Sequence, residues 1–159
     1  MRDILVSVSK NRALSRALVL FSHAVSVLGV LFLLYIEYLA YKTEPIYALW
    51  LALSLAIPFG AVTLLRIIVN APRPYELYDF YTELPRGGKG HSFPSRHAFS
   101  AFAIGVSALP LCPIPAIVML ALSVLMCVAR VLVGIHFIRD VAAGAAIGVI
   151  SAILGIILL

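Results

Sequence analysis

Residues 115–159 read PAIVMLALSVLMCVARVLVGIHFIRDVAAGAAIGVISAILGIILL, and this stretch decides the fold. Two apolar runs, 115–133 and 141–159, each approach the roughly 20 residues that carry a helix across a bilayer. At their junction stands Arg130-Val-Leu-Val-Gly-Ile-His136-Phe-Ile-Arg139-Asp140. Ionisable groups at membrane depth are costly, so a cluster of them is a functional candidate by default. Working outward, residues 46–69 and 17–40 form two more runs of spanning length. A fifth, 98–111, is shorter and is followed by a turn with prolines at Pro110, Pro113 and Pro115. The pattern predicts an all-α, polytopic transmembrane bundle of five spans in one domain, residues 1–159. Residues 1–16, with Arg2, Lys10, Arg12 and Arg16 around a short apolar patch, resemble an interfacial amphipathic segment. A cleaved signal peptide is not expected, because the apolar run that follows is too long and lacks a small-residue cleavage pattern.

Composition agrees with the run lengths. The chain has 159 residues, 63% apolar and only 12% charged, with a mean hydropathy of +1.08; a soluble domain of this size needs more charge to cover its surface. Cys112 and Cys127 have no metal-ligand spacing and do not suggest a disulfide framework. Gly144-x-x-x-Gly148 and Gly155 suit close helix packing. Trp50, Tyr35, Tyr38, Tyr41 and Tyr47 suit an aromatic belt near one membrane edge.

Five crossings put the N-terminus, the 70–94 loop and the Gly134 junction on one face. Eleven of the twelve basic residues then lie on that face or at its edge, with Lys42 opposite. The positive-inside rule makes this face cytoplasmic.

Two more polar clusters reach the same face: Arg66-Ile-Ile-Val-Asn-Ala-Pro-Arg73-Pro74 and Phe93-Pro94-Ser95-Arg96-His97. Arg66, Arg73, Arg96 and Arg130 can surround a phosphate-sized anion with forked donors. Ser95 can cap the helix starting near Arg96, leaving first-turn N–H groups to face that anion. His97 and His136 are available for proton and phosphoryl transfer. Asp140, four residues after His136, shares a helical face with it if the helix starts near His136, and would then hold the imidazole tautomer. Without these four arginines and Asp140 the net charge falls from +5 to +2. The basicity is therefore largely the site, and the broad basic stripe of a nucleic-acid binder is missing.

The three clusters resemble the motifs of the type 2 phosphatidic acid phosphatase (PAP2) superfamily, membrane lipid phosphatases with soluble relatives among vanadium haloperoxidases and acid phosphatases. The family pattern is Lys, six residues, Arg-Pro; Pro-Ser-Gly-His; and Ser-Arg, five residues, His, three residues, Asp. Here stand Arg66, six residues, Arg73-Pro74; Pro94-Ser95-Arg96-His97; and Ala129-Arg130, five residues, His136, three residues, Asp140. Residues 46–150 carry the resemblance. Arg66 replaces the lysine and keeps its charge; Arg96 replaces the glycine and adds a cation; Ala129 replaces the serine and removes a hydroxyl contact.

The resemblance implies phosphoryl transfer through a phosphohistidine. His136 is the expected nucleophile, Asp140 its orienting carboxylate and His97 the acid and base. Arg66, Arg73, Ser95, Arg96 and Arg130 are the expected phosphate ligands. No cofactor or metal is expected, since no clustered carboxylates are on offer for magnesium. The expected substrate is a lipid phosphate or diphosphate (prenyl mono- or diphosphate, phosphatidate or phosphatidylglycerol phosphate) reaching the site sideways from the bilayer of the cell membrane. A homo-oligomer is compatible with this reading and not required by it. The alternative is a non-catalytic membrane module binding anionic headgroups, which has no use for His97, His136 and Asp140 at catalytic spacing.

Outside the motifs, His23 and Glu37 are expected as buried helix–helix contacts. Arg86, Lys89 and His91 are expected in a solvated loop, and Tyr75, Tyr78, Asp79 and Tyr81 in a short interfacial helix at the site mouth.

Overall fold

The computed structural model describes residues 2–78 and 90–158. In chain order the helices are α1 (Arg2–Lys10), α2 (Arg12–Thr43), α3 (Pro45–Val69), α4 (Pro74–Leu77), α5 (Arg96–Ser107), α6 (Pro113–Leu132) and α7 (Ile138–Ile157). Among the described residues there is no strand. Asn11 ends α1 and caps α2, its side-chain oxygen accepting from Leu14 N–H at 3.0 Å. Arg12 and Arg16 therefore belong to the first turns of α2, and only Arg2–Lys10 forms the separate amphipathic segment. Leu5 is buried within it while Ser7 and Lys10 are exposed. One residue, Glu44, joins α2 to α3 in extended conformation, and Pro45 opens α3 where its missing N–H costs nothing.

Four helices, α2, α3 with its extension to Leu77, α6 and α7, are long and apolar enough to cross a membrane. Their outer faces carry Leu20, Leu34, Ile57, Ile68, Ile114 and Ile157, all exposed. Large apolar side chains facing outward on every long helix are what a lipid solvent favours and water opposes. The protein is a multi-pass membrane protein.

The fifth helix differs from the other four. At twelve residues α5 is about 18 Å long at ~1.5 Å per residue, against a hydrocarbon core of ~30 Å. The tightly wound turn at Ala108–Cys112 continues it toward α6. Eight of its residues are buried, from Ala98 to Ser107, so α5 is the central post around which the long helices stand. Its neighbour α7 runs parallel to it at very close range. A Cβ on Gly144 would collide with the carbonyl oxygen of Ser95, and one on Gly148 with that of Phe99, so the small-residue spacing does serve helix contact. α6 runs antiparallel to α2, pairing Met119 with Gly29 and Met126 with Ser26. α3 runs antiparallel to α7, pairing Ser54 with Gly155 and Arg66 with the loop before α5. The ends of α3 and α6 and the starts of α2, α5 and α7 consequently share one end of the bundle.

His23 is exposed on the outer face of α2, not buried between helices, because Ser22 and Val25 occupy the inward positions. Glu37 is half-buried.

Candidate active site

Residues 90–95 form a strap laid across the shared end. Gly90 has φ +77, a left-handed conformation that suits glycine, and its N–H donates to Glu76 Oε1 at 2.8 Å. Its carbonyl accepts from Arg73 Nε at 3.2 Å. His91 Nδ1 lies 3.0 Å from the carbonyl of Arg66, and Ser92 N–H donates to Ala71 O at 2.9 Å. His91 thus belongs to the frame of the site rather than to a solvated loop. Arg66 is buried, and its Nη1 donates to Pro94 O at 2.9 Å. Ser95 N–H donates to Asp140 O at 2.9 Å, which joins the strap to α7.

Ser95 is fully buried and caps α5, with Ala98 N–H at 3.5 Å from its Oγ. Arg96 and His97 are the first two residues of α5, so their backbone N–H groups have no partner within the helix. Arg96 holds its guanidinium 6.0 Å from the Phe59 ring centroid. Arg130 is buried in the last turn of α6, and its Nε has no hydrogen-bond partner among the described residues. The charges converge. Arg66 feels Arg73, Arg96 and Asp140; His97 feels Arg66, Arg96, Arg130 and His136; His136 feels Arg73, Arg130 and Asp140. All eight residues singled out from the sequence therefore meet at one end of the bundle.

His136 and Asp140 come together differently from the sequence expectation. α7 begins at Ile138, so His136 lies in the preceding turn, not on its first helical turn. Gly134, with φ +73, turns the chain, and the N–H groups of Ile135 and His136 both reach the carbonyl of Arg130. Asp140 is the third residue of the helix and its Oδ2 accepts from Phe137 N–H at 2.9 Å, as a capping carboxylate does. That same Oδ2 lies 3.7 Å from His136 Nδ1, an ion-pair separation too long for a hydrogen bond. Asp140 Oδ1 is 3.6 Å from Nε of the exposed Arg139. His136 is buried, and its pKa is pushed down from 6.5 to about 4 by desolvation and then by Arg130 and Arg73, against the opposing pull of Asp140.

Ser92 was not among the residues expected to matter. It is fully buried, with Oγ donating to Asp140 Oδ2 and standing 3.4 Å from His136 Nδ1. Tyr75 lies in α4, and Tyr78 sets its ring edge-on to Phe137, centroids 6.5 Å apart. Asp79, Tyr81, Arg86 and Lys89 lie outside the described residues.

Beside the charged cluster a cavity of about 330 Å³ runs between α2, α3, α5 and α6. Arg96 and His97 form its polar end, Gly29, Phe59, Met119 and Met126 part of its apolar wall. Val30 and Phe59 on its border are themselves exposed, so the groove opens sideways. Among the described residues no three His, Cys, Asp or Glu side chains converge as metal ligands.

No curated protein matches this chain. Among solved structures it is similar to the transmembrane PAP2-type phosphatidylglycerolphosphate phosphatase of Bacillus subtilis, with a TM-score of 0.70 and 19% identity over 97% of this chain and 83% of that one. It is also similar to LpxE of Aquifex aeolicus, with a TM-score of 0.69 and 26% identity over 88% of this chain and 85% of that one. Residues 47–159 match the PAP2 superfamily, which takes in every motif-bearing segment described above. The chain belongs to the PAP2 superfamily and is a membrane lipid phosphatase.

Proposed function

We propose that the protein removes the terminal phosphate from a lipid phosphate or diphosphate by way of a phosphohistidine, without a metal. The observation that carries this reading is the meeting of His97, His136 and Asp140 with four arginines beside an apolar groove whose polar end Arg96 and His97 form. His136 attacks phosphorus through Nε2, and the bond from phosphorus to the lipid oxygen breaks. His97 gives its proton to that oxygen. It then takes a proton from water, which cleaves the P–N bond and frees phosphate and His136. Arg66, Arg73, Arg96 and Arg130 neutralise the phosphoryl oxygens, and the N-terminal amides of α5, set by Ser95, add donors that need no reorganisation. Such a donor set handles the charge that a metal would otherwise carry, and among the described residues no cluster of carboxylates stands ready for magnesium.

The lipid tail lies in the groove, reached sideways between helices. Prenyl phosphates and diphosphates, phosphatidate and phosphatidylglycerol phosphate are the candidate substrates. The membrane face of the site is cytoplasmic, because Arg12 and Arg16 at the start of α2 share its end of the bundle. The single domain extends over residues 1–159.

The test is phosphate release from that panel by detergent-purified protein, with chelator present and His136→Ala in parallel. Chelator-resistant release that falls by roughly a thousandfold or more in the variant is expected. Equal release by parent and variant would sink the histidine mechanism. Headgroup binding without turnover on any lipid phosphate would favour the non-catalytic module.

A further inference from the structure

Asp140 and His136 are too far apart to share a hydrogen bond, yet a carboxylate is needed to fix the tautomer of a nucleophilic imidazole. The gap holds one hydroxyl. Ser92 Oγ donates to Asp140 Oδ2 and lies 3.4 Å from His136 Nδ1, where it can accept. A serine hydroxyl has one proton to give and lone pairs to receive, so this arrangement has a direction. With the proton of Oγ on the carboxylate side, Nδ1 must carry its own proton toward Oγ, and the lone pair falls on Nε2. Asp140 Oδ2 also accepts from Phe137 N–H, which fixes the carboxylate on the helix cap. Ser92 is itself fixed from behind by its N–H on Ala71 O, and its neighbour His91 by the carbonyl of Arg66. Every member of the chain is held by backbone, and Ser92 and Asp140 are fully buried.

We propose that Ser92 is the positioning residue that couples Asp140 to His136, holding the imidazole with its proton on Nδ1 and Nε2 free to attack. This rests on the phosphatase reading for its kinetic consequence, though not for its structural one. The substitution Ser92→Ala removes both the acceptor for Nδ1–H and a donor to Oδ2 while leaving the nucleophile and the carboxylate in place.

Two readouts on the full chain in detergent test it. The first is 15N NMR of histidine-labelled protein, with the His136 signals identified by their loss in His136→Gln. The parent is expected to show the proton on Nδ1, Ser92→Ala a mixed or reversed tautomer, and Ser92→Thr the parental pattern. A Ser92→Ala spectrum that keeps the parental tautomer overturns the proposal, whatever the substrate. If Ser92→Ala does not fold, Ser92→Cys, a weak donor of similar size, is read in its place, and a parental tautomer there overturns the proposal as well. The second is kinetic. Ser92→Ala is expected to lower kcat by about 100-fold with KM little changed, less than the ~10,000-fold seen when a triad loses its tautomer-fixing carboxylate. The double variant Ser92→Ala/Asp140→Asn is expected to be no slower than Asp140→Asn alone, because both break one chain. Losses that multiply would show two independent residues and overturn the coupling. A parent that turns over no lipid phosphate counts against the phosphatase reading instead, and leaves the tautomer measurement to decide the role of Ser92.

Discussion

His136 is buried where a charged imidazole is disfavoured, and the field of Arg130 and Arg73 disfavours it further. With a pKa pushed down to about 4, the ring is neutral at pH 7 and has a lone pair for the attack proposed above. Below that value it is protonated and has none to offer. The acid limb of kcat/KM should therefore rise with a midpoint near 4, not near the ~6.5 of an ordinary histidine. The sign of the neighbours can be checked separately. Arg130→Gln removes a cation and should move the limb to higher pH, and Asp140→Asn removes the opposing anion and should move it lower; limbs that stay fixed in both variants would assign the titration to another group. At this scale the motif residues were legible because their spacing is local or short. Ser92 was not, since its partners lie 44 and 48 positions away and a serine near a proline carries no mark of that.

The α5 and α7 pair holds the site together. Ser95 N–H binds Asp140 O just where Gly144 lets the two backbones approach, so the spacing of these helices sets the distance between the Ser95–His97 turn and the His136–Asp140 pair. Gly144→Val forces them apart. It should destabilise the protein by about 1–3 kcal/mol and lower kcat, read from a thermal melt and from turnover in the same preparation. Gly60→Val, where an added Cβ meets nothing within 4 Å, should change neither beyond a few tenths of a kcal/mol. Run lengths alone located α3, α6 and α7 to within three residues, while the start of α2 lies five residues before its run. They placed α5 as well, but not its role as a short central post, since hydropathy does not distinguish an apolar helix facing lipid from one enclosed by other helices. The start of α7 at Ile138 escaped the sequence for a different reason: the i, i+4 spacing of His136 and Asp140 suits a helix, whereas Gly134 and the Asp140 cap make a turn.

For the whole molecule, antiparallel pairing of α2 with α6 and α3 with α7 places the basic start of α2 and the site at the same end. A single cysteine at Gly87, in a chain otherwise lacking Cys112 and Cys127, should resist an impermeant thiol reagent in intact cells and react in inverted vesicles; ready labelling of intact cells would reverse the assignment. The order of the long apolar helices was readable from run length, because that is a property of the chain itself. The groove was not, being made by four helices distant in sequence. Its sideways opening past Val30 and Phe59 also changes what concentration means for this protein. A substrate drawn from the bilayer plane is met in two dimensions, so turnover follows its mole fraction among the surrounding lipids rather than its amount per volume. Adding inert detergent at constant total substrate then slows the reaction by surface dilution alone.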